Sequence, residues 1–512
     1  MTDSVRRLAT WATRLSHSDV PEDVLELCRA QRRSVLAAIG ASTGNEAAGR
    51  VLEGVVATAP DGPVPIPGTG RSARVEDALY AAAAASVALD FDDYMCFGHT
   101  GHSAVLVPLL LAAETQTGGA EQIAAQAAAN EIEARLGGAC LIGPLNGQMW
   151  SHIHAAGAAV AAARLMELDE NRSAHALAIA LHQPPRPSVA GFMGADTKLL
   201  IAAEPALAGL RAARLAAAGV TGPLDALDHR SGFFGAFSFE PIRGLLSGLG
   251  EGWATRTLSV KARPGCAYVH SALDALFRLG ASTEVKRVIV DAGVLTCGME
   301  ALSAPWREPA TITPVGVTFS VAWSAAVALL VGSYGPDELT EKWISEHVSE
   351  LDSLARRVEV RHDPRLSALG ARSFARLIPP RLVLGEVGRR RLLRAVLRMR
   401  AEHPKVRLSA RDAVALLRGA SGAGTSSFWD PASLADFRMA LPARVTVIER
   451  SGTRRSAEVE VPEGGAGHPE IGPVETSVAK LAAWGPRLWG QAGMEKIAAA
   501  VDADGSDLHA FL

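Results

Sequence analysis

"HAAGAAVAAARLMEL", residues 154–168, consists largely of side chains too small to hold a neighbouring element at a distance. Alanine favours helix, and a helix faced with alanine and glycine lets others approach closely. "AAAAASVALD" at 81–90 repeats the theme, and aromatic residues make up only 5% of the chain. The first half therefore predicts a compact, all-helical body. Helical periodicity recurs from residue 3 to about 220 between short Gly, Pro and Asp breaks. "PEDVLELCRAQRRSVLAAI" (21–39) opens on a first-turn proline, "GGAEQIAAQAAANEIEARLGGA" (118–139) is bounded by glycines, and "NRSAHALAIALHQPP" (171–185) stops at a double proline. No repeat of fixed period is visible, so a solenoid is not expected.

The character changes after "GLGEGWATRT" (248–257). "EVKRVIVDAGV" (284–294), "RRVEVRHD" (356–363) and "ARVTVIERSGTRRSAEVEVP" (443–462) alternate as strands do, the last with Ser-Gly at a hairpin position. Helical stretches such as "VTFSVAWSAAVALLVG" (317–332) lie between them. The predicted fold class is mainly α, with a large helical domain over 1–258 and a smaller α+β region over 259–466. A helical tail over 467–512 is expected to pack back on the first domain. Within the second region, residues 364–420 carry fourteen Lys or Arg against three Asp or Glu, and 364–430 reads as a basic insertion. With no aromatics interleaved, it reads as a solvated Arg-rich helix and not as a nucleic-acid or phosphate patch.

Composition narrows the classes of function. At 512 residues the chain is long enough for two or three cores. A net charge of −3 offers no global field for nucleic acid or an anionic membrane. The longest apolar run, Ala104 to Ala113, falls short of the ~20 residues that span a bilayer. The opening "MTDSVRRLATWATRL" reads as an amphipathic helix and not as a signal peptide. Five cysteines (Cys28, Cys96, Cys140, Cys266, Cys297) are odd in number and never spaced C-x-x-C, which argues against a disulfide framework, a zinc ribbon or an iron–sulfur site. A cytoplasmic protein is expected.

Chemistry concentrates in "LDFDDYMCFGHTGHSAVLVPLLLAAE" (89–114), where Asp90, Asp92, Asp93, His99 and His102 precede an apolar helix. Carboxylates and imidazoles are costly to desolvate unless paired or used. His99 and His102 could share a metal if helical, but no third or fourth ligand stands at a readable spacing, so none is expected. "DFDD" fits the D-x-D-D signature of class II terpene cyclases, though no other motif of those enzymes is present. A structural reading makes the stretch an Asp-rich cap for the helix beginning near His102. Three further groups stand out: Gln148, His152 and His154 before an alanine helix; Lys198 after the glycine-bearing "GFMGAD"; and Lys261, Arg263, Cys266, Tyr268 and His270 in "VKARPGCAYVH". His152 and His154 cannot both face one side of a helix. Lysines that open apolar segments beside Gly or Pro loops are candidates for an anion-binding cleft.

The order of "LDFDD…GH…VP", "ARLMELD…AHALAIA", "TK" and "VK…P.C…H" resembles the MmgE/PrpD superfamily, as do "LDHRSGFFGAF" and the Trp323 segment. That superfamily includes 2-methylcitrate dehydratase, cis-aconitate decarboxylase and iminodisuccinate epimerase. The likeness covers about 5–335 and returns from "VTVIERSG" to the C-terminus, leaving the basic segment as an insertion. It implies a helical domain with an α+β lid, a site between them, no metal or organic cofactor, a small carboxylate substrate and a homodimer. Matched residue by residue, it puts catalytic roles on Asp90, His102, Lys198, Lys261 and His270, with His99 a rival for His102. Tyr94, Gln148, His152, His154, Arg263 and Trp323 fall at substrate-binding positions. Tyr94 stands where the family usually has Thr, Gln148 where it has His, and Trp323 where it has Tyr. His152 or His154 could substitute for the histidine lost at Gln148. These departures imply a pocket of different shape.

The chemistry implied is proton movement beside a carboxylate. The lysines would steady the enolate-like charge, His102 would act as base or acid because imidazole titrates near neutral pH, and Asp90 would orient it. Loss of a β-hydroxyl gives dehydration, the expected outcome. Decarboxylation or epimerisation on the same scaffold is the alternative, and a non-catalytic ligand- or partner-binding protein is a third reading of another class.

Overall fold

Small side chains set how the helices meet. The computed structural model describes residues 3–144, 148–183, 188–402 and 427–511, and the chain is mainly α. Helix Gln148–Leu165 packs against helix Gly119–Ala139 and helix Leu200–Ala217. Gly209, on the last of these, lies so near its neighbour that a Cβ would come within 2.3 Å of the Ala155 carbonyl oxygen. Overpacking of that kind costs about 1–3 kcal/mol, so the small-residue pattern is a requirement of the contact. Helix Gly119–Ala139 is buried along nearly all its length, which explains why it shows no polar face. Helix Val75–Val87 packs against helix Leu200–Ala217 from another direction.

The tail returns to the beginning of the chain. Helices Pro473–Trp484 and Pro486–Asp502 lie along helix Glu22–Ala41. Gly40 permits this contact, since a Cβ there would meet the Trp484 carbonyl oxygen at 2.6 Å. Buried Lys480 donates to Ser34 Oγ at 3.0 Å and stands 4.0 Å from the centre of the Phe91 ring.

The three alternating stretches form one four-stranded sheet. Strand Val285–Ala292 pairs parallel with Val358–His362, in register from Val288↔Val358 to Ala292↔His362. On its other edge it pairs antiparallel with Ala443–Glu449, which turns through Gly452 (φ 93°) into Arg454–Val459. Helix Ala267–Arg278 packs against the hairpin strands, and helix Val321–Val331 reaches both that helix and the edge strand. Val288, Val290, Val445 and Val447 share one apolar core with Leu79 and Leu106 of the helical body. Helices Pro364–Ala375, Pro380–Val387 and Arg389–Glu402 occupy the basic segment as far as residue 402; the rest of it, 403–426, lies outside the described residues. Arg389, Arg390, Arg391 and Arg394 are exposed, as a solvated basic helix predicts. All five cysteines are free, and among the described residues no helix is long and apolar enough to cross a membrane.

Candidate functional site

After helix Val75–Val87 the chain reverses, and Asp90 takes a left-handed backbone (φ 51°), a conformation Asp tolerates better than most residues. Asp93–Tyr94 then pair antiparallel with Ser259–Val260, and the Lys261 N–H donates to the Asp92 carbonyl at 3.2 Å. This short pairing brings residues 169 positions apart into one cluster. The short helix Gly101–Ala104 sets His102 beneath it; Gly101 is required, since a Cβ would lie 2.1 Å from Asp93 Oδ1.

Two carboxylates and two ammonium groups interlock there. Lys198 Nζ meets Asp90 Oδ1 at 3.0 Å. Lys261 Nζ donates to the Asp90 carbonyl at 2.8 Å and to Asp92 Oδ1 at 2.5 Å, and lies 3.2 Å from Asp90 Oδ1. The other Asp92 oxygen, Oδ2, takes both imidazoles: His99 Nδ1 at 2.5 Å and His102 Nε2 at 3.1 Å. Burial pushes the Asp90 carboxyl up, but the charges of Lys198 and Lys261 outweigh it and hold it at about 2. Asp92 is held well below the carboxylate range, burial being outweighed by His99, Lys261 and the hydrogen bond to His102. Burial opposes the charge on Lys261 too, yet Asp90 and Asp92 raise its pKa above the ordinary lysine value.

His102 is fixed at both ring nitrogens. Ser86 donates its one proton to the Ala83 carbonyl at 2.8 Å, so towards His102 Nδ1, 2.7 Å away, it accepts. Nε2 faces a carboxylate. This pattern has both nitrogens donating, the arrangement of an imidazolium. The His154 ring, 5.7 Å from that of His102 between centres, is treated oppositely. Its Nδ1 meets Ser103 Oγ at 2.7 Å, and Ser103 also contacts Glu133 Oε1 at 2.7 Å. Burial, then the nearby His102 and His99, hold His154 well below the ordinary imidazole value, while burial raises Glu133 well above the ordinary carboxyl value. Gly157 makes room for this acid, since a Cβ there would lie 1.7 Å from Glu133 Oε1.

These groups line a cavity with Asp90, Asp92, His99, His102, His154 and Lys198 at one end. Tyr94 lines it too, as do Cys266 and Tyr268. Burial pushes the Cys266 thiol up to about 12, so it is no nucleophile near neutral pH. Asp90, Asp92 and His99 offer ligand atoms all within 4.8 Å of one another. Lys198 and Lys261 already stand on those carboxylates, where a cation would have to displace them.

Several sequence expectations need correction. Asp90 does not orient His102; it is held by the lysines, and Asp92 bridges the imidazoles. Lys261 stands behind the two aspartates and not on the cavity wall, so of the two lysines Lys198 alone faces a ligand. His152 points away from His154 into an aromatic nest, stacked 4.5 Å from Phe237, and burial holds it at about 3. His270 is buried off the cavity, with Nε2 3.2 Å from the Pro264 carbonyl. Arg263 is taken by Asp274 and Glu463, and Trp323 is packed in the core near Ser320. Gln148 opens its helix, but its side chain lies outside the described residues.

Sequence reasoning gave no role to Ser86, Ser103 or Glu133, and left Asp92 without one. Glu133 did leave a signal: it is an acid in "AAANEIEARLGGA", a stretch too apolar and glycine-rich to be a solvated face. Residues 6–242 match the family model of the MmgE/PrpD N-terminal domain, a span that holds every residue of the polar cluster except Lys261. A search of the curated proteins found no match.

Proposed function

This chain belongs to the MmgE/PrpD superfamily through residues 6–242, and on that premise we propose a cofactor-independent lyase, a dehydratase of a β-hydroxy carboxylate. The observation that carries the reading is the pair of facing imidazoles with opposite surroundings, His102 set to donate and His154 kept neutral. Groups pushed apart in this way are suited to be an acid and a base. The substrate carboxylate lies towards Lys198. His154 takes the α-proton, and the electron pair left behind is steadied by Lys198. As the double bond forms, the β-carbon–oxygen bond breaks and the hydroxyl leaves as water with the proton of His102. The arriving negative charge also makes His154 more basic than it is in the empty cavity. Lys261 and Asp90 are positioning groups: they hold Asp92 and Lys198 in place. On the family resemblance we read residues 259–466 as the lid and the working form as a cytoplasmic homodimer.

The test is proton exchange followed by NMR. Chelator-treated protein in D2O is given a panel of β-hydroxy mono-, di- and tricarboxylic acids, alongside His102→Ala and His154→Ala. Deuterium at the α-carbon or a vinylic product is expected from the wild type, with losses of about 100-fold or more in each variant. Both histidine variants matching the wild type would sink the acid–base assignment. Activity that disappears on chelation would overturn the lysine-based mechanism, and epimerised or decarboxylated product would replace dehydration.

A further inference from the structure

The end of the cavity away from the imidazoles has a different chemistry. Leu295, Met299 and Leu302 recur at a spacing of four and three on helix Val294–Ser303, which puts them on one face, and all three line the cavity. Met439 and Leu441 line it as well, with Phe374 beside them. Four of the nine methionines of the chain, Met95, Met193, Met299 and Met439, are on this one wall, where unbranched thioethers adapt to irregular apolar shapes. Two wall residues, Leu141 at 37% and Leu295 at 48% exposed, are among the few large apolar side chains left open to water. An apolar surface left uncovered at the rim of a polar cleft marks a ligand that will cover it.

Charge points the same way. Among the described lining residues Lys198 is the only lysine or arginine, and it faces Asp90 while Asp92 faces Lys261. The fixed charges therefore balance before a ligand arrives. One incoming carboxylate has Lys198 and the His102 ring to meet it. A second or third would be desolvated against methionine and leucine with no partner, a large penalty.

Taking the lyase reading for which end reacts, we infer that the substrate is a monocarboxylic β-hydroxy acid with a hydrocarbon tail, its tail lying along the Leu295–Met299–Leu302 face. A compact di- or tricarboxylate is excluded by the same wall. Each methylene that reaches the wall tightens binding by about fourfold.

The experiment is titration calorimetry with β-hydroxybutyrate, β-hydroxyhexanoate and β-hydroxyoctanoate against malate and citrate, with α-deuteration read on the same samples. Affinity is expected to rise along the series, and malate and citrate to bind more weakly than β-hydroxyoctanoate. Met299→Trp, which fills the wall, is expected to flatten the rise; Leu295→Ser, at a half-exposed position that folding tolerates, is expected to reduce it. Citrate or malate binding tighter than β-hydroxyoctanoate, or affinity that ignores chain length, overturns the inference. The two readings fail separately. Chain-length-dependent binding without α-deuteration keeps the tail and removes the lyase, whereas turnover of citrate alone keeps the lyase and removes the tail.

Discussion

Asp92 and Glu133 are 1% and 0% exposed beside the same cavity, yet the fold keeps one ionised and the other neutral. Both feel the same desolvation. Asp92 has Lys261 and two imidazoles within hydrogen-bond reach, whereas Glu133 has the Ser103 hydroxyl and a His154 that is itself kept neutral. Partners, and not depth, decide the protonation state. The fold thus sets a charged cluster and a neutral one side by side, and a proton can be passed between them only when a ligand arrives.

The severest way to break this contrast is to remove the charge from Asp92. Asp92→Asn leaves Lys261 with Asp90 alone and releases both imidazoles from their shared acceptor. Breaking a buried ionic set of this kind costs about 3–5 kcal/mol, and α-proton exchange should fall by about 100-fold or more. Urea unfolding and deuterium incorporation read the two effects. A variant as stable as the wild type would mean that Asp92 is not the hub.

Lys198→Met is expected to do less, because Asp90 keeps Lys261. With its carboxyl held at about 2, Asp90 contributes stability that is complete above the ordinary aspartate pKa and is lost as pH falls through about 2. The whole contribution is about 2–3 kcal/mol, of which the variant should lose a part at pH 7. The difference from wild type should narrow below pH 4. Urea midpoints at pH 7 and pH 3 give the comparison, and a gap that widened in acid would contradict the assignment.

Glu133→Gln probes the neutral cluster, with the opposite sign. A carboxyl whose folded pKa is raised favours folding below its unfolded pKa and loses that advantage as pH rises through the folded value. Wild type should therefore lose about 1.4 kcal/mol per pH unit above the unfolded carboxyl value until Glu133 titrates. Glutamine does not titrate and still reaches Ser103, so the variant should gain on wild type between pH 5 and pH 7. Parallel stability curves would show Glu133 ionised, and the contrast with Asp92 would collapse.

Much of this could be read from the sequence, and what could not has a common cause. The alanine helices, the hairpin around Gly452 and the tail helices follow from local pattern, because each is decided within about twenty residues. Asp90, His102 and Lys198 were found through their neighbours and the family resemblance, and the cavity does gather them. Arg263, His270 and Trp323 failed because a polar or aromatic type at a junction says nothing of which partner claims it. Asp274 and Glu463 claim Arg263 from 11 and 200 positions away. Ser103 and Glu133 were missed because their meaning comes from His154, 51 positions beyond Ser103 on a different helix.

The helix carrying His154 offers the finest test, since it holds a second histidine whose role the sequence could not separate from it. His152 and His154 are two residues apart, so they project from different sides, one to Phe233 and Phe237 and the other to the cavity. Both nitrogens of His152 are buried without a hydrogen-bond partner among the described residues, and burial holds the ring at about 3. His152→Phe removes two unpartnered polar atoms and keeps a ring of similar size against the two phenylalanines. At pH 7 stability should change by less than about 1 kcal/mol, and α-proton exchange should match wild type. In acid the variant should pull ahead. A histidine kept neutral in the fold takes up its proton on unfolding, so the wild type weakens as pH falls from about 6.5, and phenylalanine does not. Loss of exchange in this variant at neutral pH, with the fold intact, would move the base from His154 to its neighbour.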